Sequence, residues 1–552
     1  MDLARRGPRE PKGAGGDWTE ERGTSDEGRS RLKRRPEASG TTEHWLFGLV
    51  LIAAIVPRVL TALAFRPIMW FGGDSASYLA TGLRLIPDPS RVGGYGFMLW
   101  VLRPLHSFAL VAGVQHLMGL AMGVLIYLLA RRYGLPAWAA TLAAIPVLFD
   151  AYELQLEADA LPGVAFGFLV LLALYLLLRS PGERRLRAGT ALGGIGGVGP
   201  PEASGAAFLL GASALLWPVG LALLAVLLVA LLAALLIRRV GLVTVLAALL
   251  AGALPVAAYA GWFSSHRHQF SLTRSDGVYL WSRTMSFADC AVIKPPAAER
   301  VLCPPPGPRI AASLYIWNTD SPTRTMPGGR FSARTNRLAL HFALRAIAAQ
   351  PGDYAAAVGH DFALSFFWDR PVHPRAGIVD RYQFADAATA WVPASEYTPG
   401  GGTVAGDQAD YIGGRHPEGA APTRVVQPYA SWLVTYQRYV YLRGTLLGVI
   451  LLAALAAMIV RRRAGGAGLP WAFAMTILLV PPLTADFDLR YLVPAVPVAC
   501  LAAALAFAPG PGGPAQRRWT TSAAATGTSA PGETRTSSLP SESTPTAGPD
   551  SA

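Results

Sequence analysis

Charge is scarce in this chain. Asp, Glu, Lys and Arg make up 15% of its 552 residues, against 52% apolar residues. About a quarter of the residues of a soluble domain are charged, so a wholly water-exposed fold is excluded. Cysteine is nearly missing, with three in all. No Cys-x-x-Cys pair occurs, which removes the zinc-ribbon and zinc-finger classes. A Walker loop, a His-Glu-x-x-His helix and a Ser-His-Asp arrangement are also missing, as is any internal repeat. The first 43 residues are polar and contain neither a signal-peptide core nor a span.

Long apolar runs dominate what is there. Leu221–Ile237, Val240–Gly261 and Leu442–Val460 are almost free of charge, and a bilayer core takes about 20 such residues. Backbone polar groups in lipid must be satisfied within the segment, so these runs are helices. They lack the alternation of membrane barrel strands. The fold class expected is an all-α integral membrane protein with about ten transmembrane helices and one extracytoplasmic mixed domain in a long loop. The spans read as Trp45–Phe65, Leu105–Leu129, Trp138–Tyr152, Ala160–Leu178, Ala188–Trp217, Leu221–Ile237, Val240–Trp262, Leu442–Val460, Trp471–Ala485 and Leu492–Phe507.

The net charge of +13 invites a nucleic-acid reading, but the basic residues sit at the ends of apolar runs. Arg29–Arg35, Arg131-Arg132, Arg179–Arg187, Arg238-Arg239 and Arg461–Arg463 all fall on one side of the predicted topology. Arginine clusters mark cytoplasmic loops, so the expectation is a multi-pass cell-membrane protein with both termini cytoplasmic and no nucleic-acid partner. The organisation that follows is a disordered cytoplasmic N-terminus (1–43), a transmembrane module with outer loops (44–263), an extracytoplasmic domain (264–441), C-terminal transmembrane helices (442–508) and a disordered cytoplasmic tail (509–552). Cys500 lies in an apolar run and reads as a packing residue. Cys290 and Cys303 share the long segment and are a disulfide pair if it lies outside.

Three acidic places share the predicted outer face: Asp74 in Gly72-Gly73-Asp74-Ser75, a tight turn carrying Glu153, Glu157 and Asp159, and Asp486/Asp488 beside Arg490. A carboxylate there is suited to take a proton from a hydroxyl nucleophile. Arg490 is suited to hold a leaving phosphate as its charge grows. Arg58 lies inside the first span, where a charge needs a partner or must snorkel to the interface. Arg283 and Lys294 are further candidate cations on the long segment. Each group also has a plainer reading: Asp74 as a turn or helix cap, Glu157 and Asp159 as caps of the fourth span, and Arg490 as an interfacial anchor. Asp486-Phe-Asp488 matches the Asp-x-Asp of soluble sugar transferases, but no nucleotide-binding α/β domain accompanies it. His266-Arg-His268 lacks a third metal ligand nearby.

Taken in order, several stretches resemble the GT-C glycosyltransferases, a superfamily of multi-pass membrane enzymes that includes protein mannosyltransferases, lipid A aminoarabinose transferases and actinobacterial arabinosyltransferases. They are Pro57-Arg58, Asp74-x-x-x-Tyr78, Gly94-Tyr95-Gly96, Tyr127 to Gly134, the acidic turn with Glu157 and Asp159, and Arg490-Tyr491 to Pro497. The resemblance implies that Asp74 is the catalytic carboxylate, with Ser75 where some relatives carry a second acid. It also implies a substrate site that includes Tyr78, Glu157, Asp159, Arg58 and Arg490. The implied donor is a polyprenyl-phosphate-linked sugar and the acceptor a cell-envelope glycan, lipid or protein. A divalent cation is left open. Trp217-Pro218 departs from the family's usual Arg-Pro. A transporter or lipid-linked-sugar flippase, and a non-catalytic envelope scaffold, are the alternative readings.

Overall fold

The computed structural model describes residues 44–179, 198–387, 397–414, 423–461 and 465–509. The predicted N-terminal segment, the arginines 184, 185, 187, 462 and 463, and the tail from residue 510 lie outside the described residues. Within them the chain is helical apart from two antiparallel ladders of two-residue strands and one isolated bridge.

The first half comprises α1 (Trp45–Ala64), α2 (Gly72–Arg84), α3 (Gly94–Leu102), α4 (Phe108–Arg132), α5 (Ala137–Phe149), α6 (Ala151–Ala158), α7 (Gly163–Leu178), α8 (Pro200–Ala214), α9 (Val219–Leu236) and α10 (Leu242–Arg267). The long segment that follows contains α11 (Asp276–Thr284), α12 (Ala312–Trp317), α13 (Ala333–Ala349), α14 (Pro351–Leu364) and α15 (Tyr429–Tyr439). The chain then runs through α16 (Gly444–Val460), α17 (Gly468–Thr484), α18 (Leu489–Leu492) and α19 (Ala495–Phe507).

Most spans expected from the sequence coincide with an apolar helix, though not every helix is long enough to cross a bilayer alone; the first part of the expected span Ala188–Trp217 lies outside the described residues. Five stretches qualify by length and composition: α1, α4, α9, α10 and Leu489–Phe507. Two bent pairs, α5 with α6 at 50° and α15 with α16 at 48°, raise the number to seven if each is one span. The apolar α7 and α17 are shorter.

The first helix shows why lipid is the solvent. Leu49, Ile52, Val56 and Val59 form one exposed stripe, while Ala54, Pro57, Arg58 and Thr61 form the buried one. Both sets repeat at helical spacing, and an exposed stripe made of large aliphatics is stable only against an apolar surrounding. At the centre lies α19, which packs on α4, α5, α16 and α17. Its Ala499, Ala502, Ala504 and Ala506 are buried, and such small side chains let neighbouring backbones approach closely.

The described residues of segment 264–441 are mostly helical, with the short strands Tyr397–Thr398, Gly402–Thr403 and Arg424–Val425, and their core is split. Val278, Trp281, Ile316, Phe342 and Ala343 make a separate cluster, braced by a disulfide between Cys290 and Cys303. Further along, Leu364, Tyr382 and Tyr411 join the main transmembrane core. The strand Arg424–Val425 pairs with Phe65–Arg66 at the end of α1. This part of the segment is therefore tied to the helices rather than standing apart from them.

Candidate active site

The chain leaves α1 through Ile68 to Phe71 and turns sharply at Gly72, whose φ is +48°. This left-handed conformation favours glycine, and a Cβ at Gly72 would also press on Arg381 Nη1, 2.5 Å away. Asp74 follows in the first turn of α2, where the helix dipole favours a negative charge. Its side chain caps no backbone group at the start of α2. Instead, Oδ1 lies 2.9 Å from Arg91 Nη2 and Oδ2 lies 2.5 Å from Arg490 Nη1. All three side chains stay 14 to 20% exposed, a partly open cluster that a ligand can reach.

Arg490 is itself held in place. Asp488 caps α18 through Oδ1, and its Oδ2 lies 3.1 Å from Arg490 Nε. The Tyr382 hydroxyl donates to Asp488 Oδ1 at 2.6 Å. The guanidinium lies over the rings of Phe71 and Tyr491. One turn beyond Asp74 on α2, Tyr78 is buried and meets Tyr95 edge-on at 5.4 Å. Burial alone would raise the Asp74 carboxyl, but Arg91 and Arg490 outweigh it and hold the group below the ordinary carboxylate range. Asp74 is therefore ionised at neutral pH. Burial, with the Asp74 charge added to it, pushes the Tyr78 hydroxyl up, so that it stays protonated.

The other predicted site residues divide differently. Asp74, Tyr78 and Arg490 come together; Arg58, Glu157 and Asp159 sit deeper. Among the described residues, no hydrogen bond or ion pair joins these three to Asp74. The acidic stretch is not an outer turn. Asp150 accepts from the backbone N–H of Tyr152 and Glu153 and so starts α6, a helix whose residues are all buried. Glu157 is 0% exposed, with Oε1 at 2.6 Å from Arg58 Nη2 and Oε2 at 2.8 Å from His116 Nδ1. Arg58 Nη1 donates to the carbonyls of Ala54 and Leu148. The pair thus closes on itself between α1, α4 and α6.

Asp159 accepts from Gln155 Nε2 at 2.6 Å, and residues 158–160 bond to both backbone groups of Met69. Gln115 binds the carbonyls of Glu157 and Asp159 and receives the Tyr95 hydroxyl. This acidic stretch therefore braces the segment around Met69 that leads into Asp74. Of the further cations, Arg283 is buried against Asp361 and Lys294 is exposed. Gly119 of α4 faces the Arg58–Glu157 pair, and a Cβ there would lie 1.7 Å from Glu157 Oε1. Gly119→Ala should lower stability by about 1–3 kcal/mol, read as thermal unfolding in detergent. Gly48→Ala, in open space on α1, should not.

Sequence reading missed Arg91, which follows Asp74 in the same connection between α1 and α4; a cation on the same connection as its lone carboxylate was the available signal. Asp488 was set aside as part of a nucleotide-sugar motif, and its contact with Arg490 gives it a different use. Tyr382 carried no signal at all. Asp488 and Tyr491 border a shallow crevice, with room for little more than a water, that they share with Ile477, Leu478, Pro481 and Phe487.

No family model matches the sequence, and no curated protein matches it. Solved structures show distant likenesses. The archaeal oligosaccharyltransferase AglB from Archaeoglobus fulgidus, in complex with an inhibitory peptide and a dolichol-phosphate, is 13% identical over 85% of this chain and 50% of its own, at a TM-score of 0.35. ArnT from Cupriavidus metallidurans, bound to undecaprenyl phosphate, is 12% identical over 83% of this chain and 78% of its own, at 0.32. The S. cerevisiae protein O-mannosyltransferase Pmt1-Pmt2 complex is 16% identical over 44% of this chain and 36% of its own, at 0.29. The chain spans half or less of the yeast and archaeal proteins. With every TM-score this low, the chemistry rests on the residues themselves.

Proposed function

We propose that the protein is an integral-membrane glycosyltransferase of the GT-C type. It moves a sugar from a polyprenyl-phosphate donor to a cell-envelope acceptor on the outer face of the membrane. One observation carries the reading: an ionised aspartate is clamped between Arg91 of its own loop and Arg490 from the far end of the chain, beside apolar helices that face lipid. In the reaction the acceptor hydroxyl attacks the anomeric carbon, and its proton passes to Asp74. The bond between that carbon and the phosphate oxygen breaks, and the phosphate leaves with the electron pair. Arg490 and Arg91 stabilise the charge that grows on it. The lipid tail stays in the bilayer, against the apolar helices.

The Cys290–Cys303 disulfide supports placing residues 264–441 in an oxidising, extracytoplasmic compartment. The arginine clusters support cytoplasmic termini. Because the donor phosphate and Asp74 compete for the same guanidinium groups, donor binding loosens Asp74 and restores its basicity.

The test is a transfer assay in vesicles with a polyprenyl-phosphate sugar. Loss of product on adding excess free polyprenyl phosphate, a competitor for the arginines, is the expected result; unchanged product would refute the donor class. A pH profile adds a second check. Since Asp74 titrates below the ordinary range, wild-type kcat/KM should stay flat through the pH at which an unperturbed carboxylate base would already lose activity. Arg91→Gln removes one cation and lets the Asp74 pKa rise, so the acid limb should move to higher pH. A limb that stays put would show that Arg91 does not govern the base.

A further inference from the structure

Away from Asp74, three side chains from three segments converge. They are Asp361 near the end of α14, His373 in the loop after it, and Asp486 between α17 and α18. A carboxylate oxygen from each aspartate and one imidazole nitrogen lie within 4.8 Å of one another. Asp361 and Asp486 are 5% and 4% exposed. Each also has one oxygen fixed by a donor from outside the cluster. The buried Arg283 of α11 pairs with Asp361 Oδ2, and the Ser313 backbone N–H donates to Asp486 Oδ2 at 2.9 Å. Asp486 Oδ1 meets His373 Nε2. Asp361 Oδ1 lies 3.1 Å from Nδ1 of His360, whose side chain is largely exposed.

Ligating carboxylates are commonly held in this way, with one oxygen on a protein donor and the other turned to the ion. We propose that Asp361, His373 and Asp486 bind a Zn²⁺ ion, with His360 or water as the fourth ligand. One imidazole and two carboxylates suit this borderline cation, which takes nitrogen and oxygen at about 2.0–2.2 Å. Calcium and magnesium take oxygen ligands and gain nothing from His373. The plain rival is a His373–Asp486 ion pair, which gives Asp361 no part. The proposal goes beyond the transferase reading and does not depend on it. Its structural consequence is local: the ion would tie α14, the loop after it and the chain just before Asp488 and Arg490 into one unit.

The experiment uses the full chain in detergent, stripped with chelator and reloaded with Zn²⁺. Elemental analysis after gel filtration should find about one zinc per chain, and reloading should raise the thermal midpoint. His373→Gln, Asp361→Asn and Asp486→Asn should each lower zinc affinity by more than about 100-fold, whereas losing the outer donor in Arg283→Gln should cost about 10-fold. His268→Ala, in the pair lacking a third ligand, should bind zinc normally. Only variants that elute as a single species with the Cys290–Cys303 bond intact are scored. Wild-type protein that retains no stoichiometric zinc overturns the proposal without recourse to any variant. Preference for Ca²⁺ over Zn²⁺ overturns it too, as does full binding by Asp361→Asn, which would leave only the ion pair. None of these readouts involves sugar transfer, so a failed transferase assay leaves the metal result standing, and the reverse.

Discussion

Asp74→Asn should abolish sugar transfer while leaving the protein folded. The substitution keeps the shape of the side chain and removes only its charge and its capacity to accept a proton. A positioned general base contributes about 10² to 10⁴ in rate, so kcat should fall by that factor. Affinity for free polyprenyl phosphate should hold or improve, because Arg490 and Arg91 lose their competing carboxylate. That split distinguishes a base from a mere partner of Arg490, whose loss would weaken donor binding first. The Asn carbonyl oxygen can still accept from a guanidinium group, so the cluster keeps its packing and part of its hydrogen bonding. Transfer within tenfold of wild type would end the catalytic reading. Intact lipid flipping or scaffold function in the same variant, with no transferase activity in either protein, would favour the other two classes.

Glu157→Ala should act in the opposite way, on the fold rather than on the chemistry. Glu157 is fully buried and Arg58 is 3% exposed, so truncation leaves a guanidinium in the interior without its counter-charge. Breaking such a pair from one side costs about 3–5 kcal/mol. The expected outcome is a large drop in thermal midpoint in detergent. Arg58→Met combined with Glu157→Leu should recover most of it, because two well-packed apolar side chains can replace a buried pair at little cost. A Glu157→Ala protein of wild-type stability that fails to bind substrate would reverse this assignment and return Glu157 to the site.

These two expectations divide residues that look alike in the sequence. Asp74 and Glu157 are both acids next to predicted spans, and both match the GT-C pattern. What separates them is the neighbour each one finds. Arg490 reaches Asp74 from the far end of the chain, and Arg58 reaches Glu157 across two helices. No local spacing encodes either meeting. The acidic stretch illustrates the same point. Glu153, Glu157 and Asp159 look like a wet turn because they are charged, yet Asp150 caps a helix there, Arg58 and His116 pair with Glu157, and Gln155 donates to Asp159. Burial reverses the meaning of a charge when the partners come from elsewhere.

The sequence by itself determined that this chain is helical and lives in a membrane. Hydropathy is summed over contiguous residues, and backbone hydrogen bonds in lipid close within a segment, so neither needs knowledge of the rest of the chain. It also singled out Asp74, a carboxylate after a Gly-Gly turn, and Arg490. Tertiary structure alone decided that Arg91 and Arg490 clamp Asp74, that Asp488 steers Arg490, and that Arg58 and Glu157 serve the scaffold. Asp74 with Arg490 and Arg58 with Glu157 are pairings between charges distant in sequence, and even the nearer partners Arg91 and Asp488 act through separations and burial that only the folded backbone fixes.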